Sequence, residues 1–169
     1  MQGSLEQFLE DVAHRGSWVG GGSVAALSAA LAAALLEKLV VRVPLARALR
    51  SRRRRCLGFM ERDARTFARV IQASRAQDHQ AFQRALKMAT EVPYQVYQHA
   101  TAIHGACKAA QRSIKPQFQS DLSCAIALAD AARVGAKALI DTNLAWLKDR
   151  GYATTLRRRL RLARKRHVH

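Results

Sequence analysis

Gly20-Gly21-Gly22-Ser23-Val24-Ala25-Ala26-Leu27-Ser28-Ala29-Ala30-Leu31-Ala32-Ala33-Ala34-Leu35-Leu36 reads as a turn feeding a helix of small apolar residues. Three residues without Cβ atoms let a backbone take left-handed φ or approach another group closely. Ser23 is placed to N-cap the helix, which runs from Val24 to about Arg42. Its seven alanines leave the helix nearly bare, so neighbouring helices can pack close around it. The free amides at its N-terminus favour an anion. The turn by itself fits either a tight interhelix connection or a place where backbone meets a ligand.

The flanking sequence continues the helical pattern. Ser4-Leu5-Glu6-Gln7 has the form of a capping box and opens a short helix with Leu5, Phe8, Leu9 and Val12 on one face. Pro44 suits the first turn of a third helix, predicted from Leu45 to about Ala76. Asp78 is placed to cap a fourth helix reaching Ile114, with a kink expected at Pro93. Beyond Pro116, Ser120 or Asp121 caps a fifth helix to about Arg150, striped by Leu122, Ile126, Ala129, Ala136, Ile140 and Leu147. No strand pattern and no repeat interrupts this series. The expectation is an all-α bundle of five to six helices over residues 1–151. Gly151 then permits a break before a basic C-terminal arm or helix over 152–169, and the cations of Arg157–His169 read as exposed on every face.

Composition narrows the function classes. The chain has 169 residues and a formal charge of +17. Seven arginines fall within Arg42–Arg55, and seven of the ten residues Arg157–Arg166 are Arg or Lys, with no acid in either stretch. The rest of the chain is close to neutral, so the basicity sits in two segments. They read as sites for nucleic acid or an acidic partner protein, as attraction for an anionic small molecule, or as solvated surface. No nucleic-acid motif accompanies them. Cys56, Cys107 and Cys124 are far apart and odd in number, which fits buried reduced thiols in a cytoplasmic protein. Glu6, Glu10 and Asp11 stand where a secretory signal needs a basic and then an apolar stretch. The apolar run Val24–Leu36 is too short for a bilayer span. The six histidines show no metal-ligand spacing, and no bound metal is expected.

The segment Val19-Gly20-Gly21-Gly22-Ser23-Val24-Ala25-Ala26-Leu27 resembles the P-G-G-G-S-V/A-A/S-A-L signature of the formiminotransferase-cyclodeaminase family, in its cyclodeaminase/methenyltetrahydrofolate cyclohydrolase domain. Asp63-Ala64 with Phe67, Glu91-Val92-Pro93, Ser120-Asp121-Leu122, and Gly135-Ala136 followed by Asn143-Leu144 resemble further family pieces in the same order. The resemblance implies a helical bundle that pairs as a tight homodimer. It also implies a hydrolase or lyase acting on a tetrahydrofolate derivative as substrate, in one-carbon metabolism. Such members close formimino-tetrahydrofolate to the methenyl form with loss of ammonia, or hydrolyse methenyl to formyl.

Either reaction makes or attacks an amidinium-like cation, which a nearby carboxylate stabilises while moving protons. Asp121 is the first candidate, because helix-start amides hold a carboxylate ionised; otherwise it is a plain cap. Asp63 is the second, or else a helix-surface acid. Asp141 is the weakest. Gly20, Gly21, Gly22, Ser23 and Glu91 form the expected folate-binding set, with Glu91 within reach of carbonyls that Pro93 leaves without a donor. Asn143 lies within about 40° of Asp121 around the fifth helix but roughly 33 Å along it, so the two do not line one site in a subunit.

Val19 stands where the family carries proline, and Val40-Val41-Arg42-Val43-Pro44-Leu45 replaces a polar family loop. The alternative reading is therefore a non-catalytic relative that uses its arginine-rich segments to bind nucleic acid or an acidic protein.

Overall fold

The structure, a computed structural model, describes residues 4–165. It comprises α1 (Leu5–Ala13), α2 (Gly21–Leu39), α3 (Val43–Arg75), α4 (His79–Ala110), a 3-10 turn (Pro116–Phe118), α5 (Gln119–Trp146) and α6 (Arg150–Lys165), with no strand among the described residues. Arg166, His167 and His169, part of the expected basic arm, lie outside the described residues.

Helix α2 is the axis of the bundle, packed by α3, α4 and α5. Ala25, Ala26, Ala29, Ala30, Ala32, Ala33 and Leu36 are buried. The short side chains set the spacing: a Cβ on Gly135 of α5 would stand 3.7 Å from that of Ala25. By length and hydropathy α2 is long and apolar enough to cross a membrane, contrary to the reading from Val24–Leu36 alone. In the fold its small-residue faces are covered by the other helices. Gly20, in extended conformation, is the N-cap rather than Ser23, so α2 starts three residues earlier than expected. Gly21 and Gly22 are its first helical residues, and no glycine among the described residues has positive φ.

Its two main partners, α3 and α5, run antiparallel to α2. Glu37 near its C-terminus takes Arg50 at 2.7 Å and Arg53 at 3.1 Å from the first third of α3, while Ser23 meets the middle of α3. Along α5, Lys38 meets Asp121 and Gly21 meets Leu139. At 1.5 Å per residue α3 is about 50 Å long against about 28 Å for α2. Its last turns, from Phe67 on, therefore project past the glycine turn.

Local signals set most helix ends. Ser4 accepts from the Gln7 amide at 3.2 Å, but the Gln7 side chain bonds Asp11 instead of closing the box. Of the expected α1 face only Phe8 is buried, and Leu5 and Leu9 are exposed. Pro44 sits in the first turn of α3 and Asp78 caps α4 through the Ala81 amide at 2.9 Å, as the sequence predicts. Between them Gln77 takes φ 54°, a left-handed position filled without glycine. Helix α4 continues through Pro93 and stops at Ala110 rather than Ile114. Pro116 starts a 3-10 turn, so α5 is capped by Phe118 and Asp121 lies in its first turn. The Gln119 amide holds this corner by donating to the carbonyls of Gln111 and Ile114. The α5 stripe is buried as read, except that Ile126 is only partly covered.

Arg150–Lys165 differs most from expectation. It is a helix that buries Ala153, Leu156 and Leu160, three positions on one face, so this segment is not exposed on every side. The boundary expected between 151 and 152 falls inside its first turn. Asp149 accepts from the Tyr152 amide at 2.9 Å and starts it. Tyr152 Oη donates to Glu91 Oε1 at 2.7 Å, and the Arg159 guanidinium lies 4.3 Å from the centre of the Tyr94 ring. The cysteines also divide: Cys56 and Cys107 are buried, whereas Cys124 is exposed, against the expectation that all three are buried.

Candidate active site

The glycine turn meets Asp63. A Cβ on Gly22 would lie 2.1 Å from Asp63 Oδ1 and 2.4 Å from its Cγ, so only glycine fits beside that carboxyl. A Cβ on Gly20 would meet nothing within 4 Å, and one on Gly21 only the Leu139 side chain at 3.9 Å. The requirement for glycine is therefore steric and confined to Gly22, and the group that approaches belongs to the chain itself. The anion expected at this helix N-terminus is supplied internally.

Ser23 is fully buried, and its Oγ lies 3.0 Å from the Met60 carbonyl and 3.2 Å from Asp63 Oδ2. A hydroxyl has one proton to donate. That proton is shared between two acceptors, the Met60 carbonyl and Asp63 Oδ2. Burial pushes the Asp63 pKa above the ordinary aspartate value, while the Ser23 hydroxyl and amide pull it back. Asp63 is thus a half-buried carboxyl whose burial favours the neutral form while its two Ser23 donors favour the charged one, a balance that suits proton transfer.

Aromatic and amide groups gather at the same end of the bundle. Phe67, one turn along α3 from Asp63, meets Trp18 edge to face at 6.5 Å, and the two side chains remain 45% and 41% exposed. Val19, in place of the family proline, packs against the core. The contact of Gly21 with Leu139 puts the C-terminal part of α5 beside the glycine turn, so Asn143, one turn further, lies at the Asp63 end. The periodicity of α5 separates Asn143 from Asp121 but carries no information on which end of α2 it reaches.

Asp121 stands elsewhere. Its carboxylate pairs with Lys38 Nζ at 2.9 Å and is 35% exposed. Ser23 and Lys38 are fifteen residues apart on α2, so Asp63 and Asp121 flank opposite ends of that helix, about 22 Å apart. They do not serve one substrate within a chain. The rewritten loop Val40–Leu45 is at the Asp121 end, where it borders an apolar cavity of about 380 Å³ with Ala106, Ala110 and Ile114. Glu91 does not turn to the carbonyls near Pro93; it accepts from Tyr152 and faces Arg159 at 3.6 Å, which fixes α6. Asp141 pairs with Lys137 on the surface. Among the described residues no three His, Cys, Asp or Glu side chains converge as metal ligands do.

Comparisons with known proteins agree with this architecture. The structure resembles the crystal structure of a formiminotetrahydrofolate cyclodeaminase from Thermotoga maritima with a TM-score of 0.84. The match covers 98% of this chain and 88% of that one at 22% identity, a level that speaks to fold. No curated protein matches the sequence. The sequence profile of the formiminotransferase-cyclodeaminases matches residues 4–44 and 40–162, nearly the whole chain. The chain belongs to the formiminotransferase-cyclodeaminase family.

Proposed function

We propose that this chain is a tetrahydrofolate one-carbon enzyme of the cyclodeaminase or methenyltetrahydrofolate cyclohydrolase type, acting in the cytoplasm, with Asp63 as its proton-handling carboxyl. The observation that carries the reading is the Asp63 carboxyl, seated on the N-terminus of α2 with a raised pKa. In ring closure, a tetrahedral carbon forms between the two folate nitrogens, and the departing amine needs a proton. In hydrolysis, a water adding to the methenyl carbon gives up a proton and the released ring nitrogen takes one. A carboxyl that holds its proton more firmly than ordinary aspartate performs both transfers, and its ionised form stabilises the amidinium. Since Asp63 itself fills the space beside Gly22, substrate is assigned to the outer side of the carboxyl, with the exposed edges of Trp18 and Phe67 as a platform for a planar ring.

The same reading includes a homodimer. Val24 and Leu31 are exposed seven residues apart on one face of α2, and Leu57 is exposed on α3. Leu27 and Leu57 border a cavity of about 350 Å³ against Leu5 and Phe8 of α1. Pairing of this apolar face covers it. Asp121 contributes to chemistry only where a second subunit brings it to the Asp63 end. The segments on which the scaffold alternative relies are partly engaged within the chain: Glu37 takes Arg50 and Arg53, and α6 is folded against the bundle.

The test is turnover of methenyl- and formimino-tetrahydrofolate by the purified chain, followed by methenyl absorbance, with Asp63→Asn alongside. Loss of about a hundredfold or more in kcat for Asp63→Asn is expected. A folded dimer that turns over neither substrate refutes the proposal.

A further inference from the structure

Between α3 and α4 lies an open cavity of about 430 Å³ that the folate reading does not use. Arg55 and Arg62 line it from α3, and Gln95, Gln98 and His99 from α4, over the buried ring of Phe59. A Cβ on Gly58 would meet nothing within 4 Å, which leaves the α3 backbone open between the two arginines. No acid lines the cavity. Arg55 and Arg62 make no ion pair among the described residues, in contrast to Arg50 and Arg53 on Glu37. Two guanidinium groups thus face one concave space without a counter-charge.

His99 reports the field there. Arg52 Nη1 lies 3.3 Å from His99 Nδ1, and because arginine only donates, Nδ1 is the acceptor of a neutral imidazole. Burial, then the charges of Arg52 and Arg55, push its pKa down to about 4. The charged groups facing the ring come from α3 alone: Arg52, Arg55 and, across the cavity, Arg62. Phe59 stacks at 5.5 Å with a tilt of 51°. Gln95 Oε1 accepts from Arg62 at 3.3 Å, which leaves its amide nitrogen free to donate.

We propose that this cavity binds the phosphate group of a phosphomonoester, with Arg55 and Arg62 on its oxygens and the attached group lying against Phe59. Arginine forks match phosphate oxygens, and a dianion supplies the two negative charges that the site lacks. His99 is kept neutral by burial first and by the charges of Arg52 and Arg55 second; a bound dianion offsets the charge contribution, so the ligand and a proton on His99 reinforce one another.

Phenyl phosphate is the probe, titrated calorimetrically into the full-length protein at neutral pH and constant ionic strength. Saturable binding is expected, weakened about tenfold or more by Arg55→Gln or by Arg62→Gln. Both arginines are exposed, so the fold survives their replacement, as circular dichroism will confirm. In saturating ligand the His99 ring resonances should titrate about one pH unit or more above their position in its absence. No saturable binding at millimolar ligand, or equal binding by both variants, overturns the proposal. A His99 midpoint that stays near 4 overturns its placement in this cavity. Equally tight binding of benzoate, or of dimethyl phosphate as a mimic of nucleic-acid backbone, overturns the assignment to a phosphomonoester. None of these readouts involves folate turnover.

Discussion

Replacing Gly22 with alanine should destabilise the protein although alanine is the better helix former. The new methyl would stand 2.1 Å from Asp63 Oδ1, 2.4 Å from Cγ and 2.6 Å from Oδ2, so the whole carboxyl must retreat by about 1 Å or more to reach ordinary contact. Retreat strips it from the Ser23 hydroxyl at 3.2 Å and from the Ser23 amide. Leaving a half-buried carboxyl without those partners costs about 1–3 kcal/mol. Alanine returns about 0.5–1 kcal/mol over glycine inside a helix. The middle of these ranges leaves a net loss of about 1 kcal/mol, or a Tm lower by about 2–4 °C for a chain of this length. Urea and thermal denaturation measure it, with Gly20→Ala as the comparison, where no clash exists. The decisive variant is the double one. With Asp63→Ala the obstacle is gone, so Gly22→Ala in that background should be neutral or slightly stabilising. A single Gly22→Ala as stable as the parent, or an undiminished penalty in the Asp63→Ala background, would refute the account of the triple glycine.

Three further outcomes follow from contacts described above. Because the folded-state pKa of Asp63 is raised, its ionisation opposes folding: that part of the stability is full below the ordinary aspartate pKa and is lost as pH rises through the folded value. Asp63→Asn should remove this pH-dependent loss, and a stability difference between parent and variant that does not widen with rising pH contradicts it. Thiol titration with a disulfide reagent should find one fast-reacting cysteine, Cys124, while Cys56 and Cys107, buried and with pKa pushed up to about 12 and about 11, react only on unfolding. Two or more fast thiols in the folded protein would be inconsistent with the core. Tyr152→Phe removes the donor to Glu91, so about 1 kcal/mol should be lost and α6 should become the first site of limited proteolysis. An unchanged cleavage pattern would mean that the apolar strip of α6 holds it without that bond.

Most of the helical order was legible in the sequence because the signals are local. Pro44 and Asp78 mark helix starts by what each does to its own amides and φ, and the alanines of α2 announce close packing whatever the partners are. Cap identity was less legible. Ser23 has the side chain of a cap, yet its hydroxyl is drawn to Met60 and Asp63, about forty residues away, and Gly20 caps instead. The basic tail misled for a related reason. Ala153, Leu156 and Leu160 make a strip too narrow to stand out among seven cations until α4 and the Tyr152–Glu91 bond are in place.

The sequence by itself determined an all-helical chain of this family, with a glycine turn leading into a central helix of small residues. Only the tertiary structure decided what the turn is for. It seats Asp63 against Gly22 and moves Asp121 to the far end of α2, because antiparallel packing along a helix of nineteen residues turns sequence order into about 22 Å of distance. Helix spacing within an element follows from the residue count. Which side chain of α3 arrives at which turn of α2 depends on how two helix surfaces interlock, and that is a property of the packed pair.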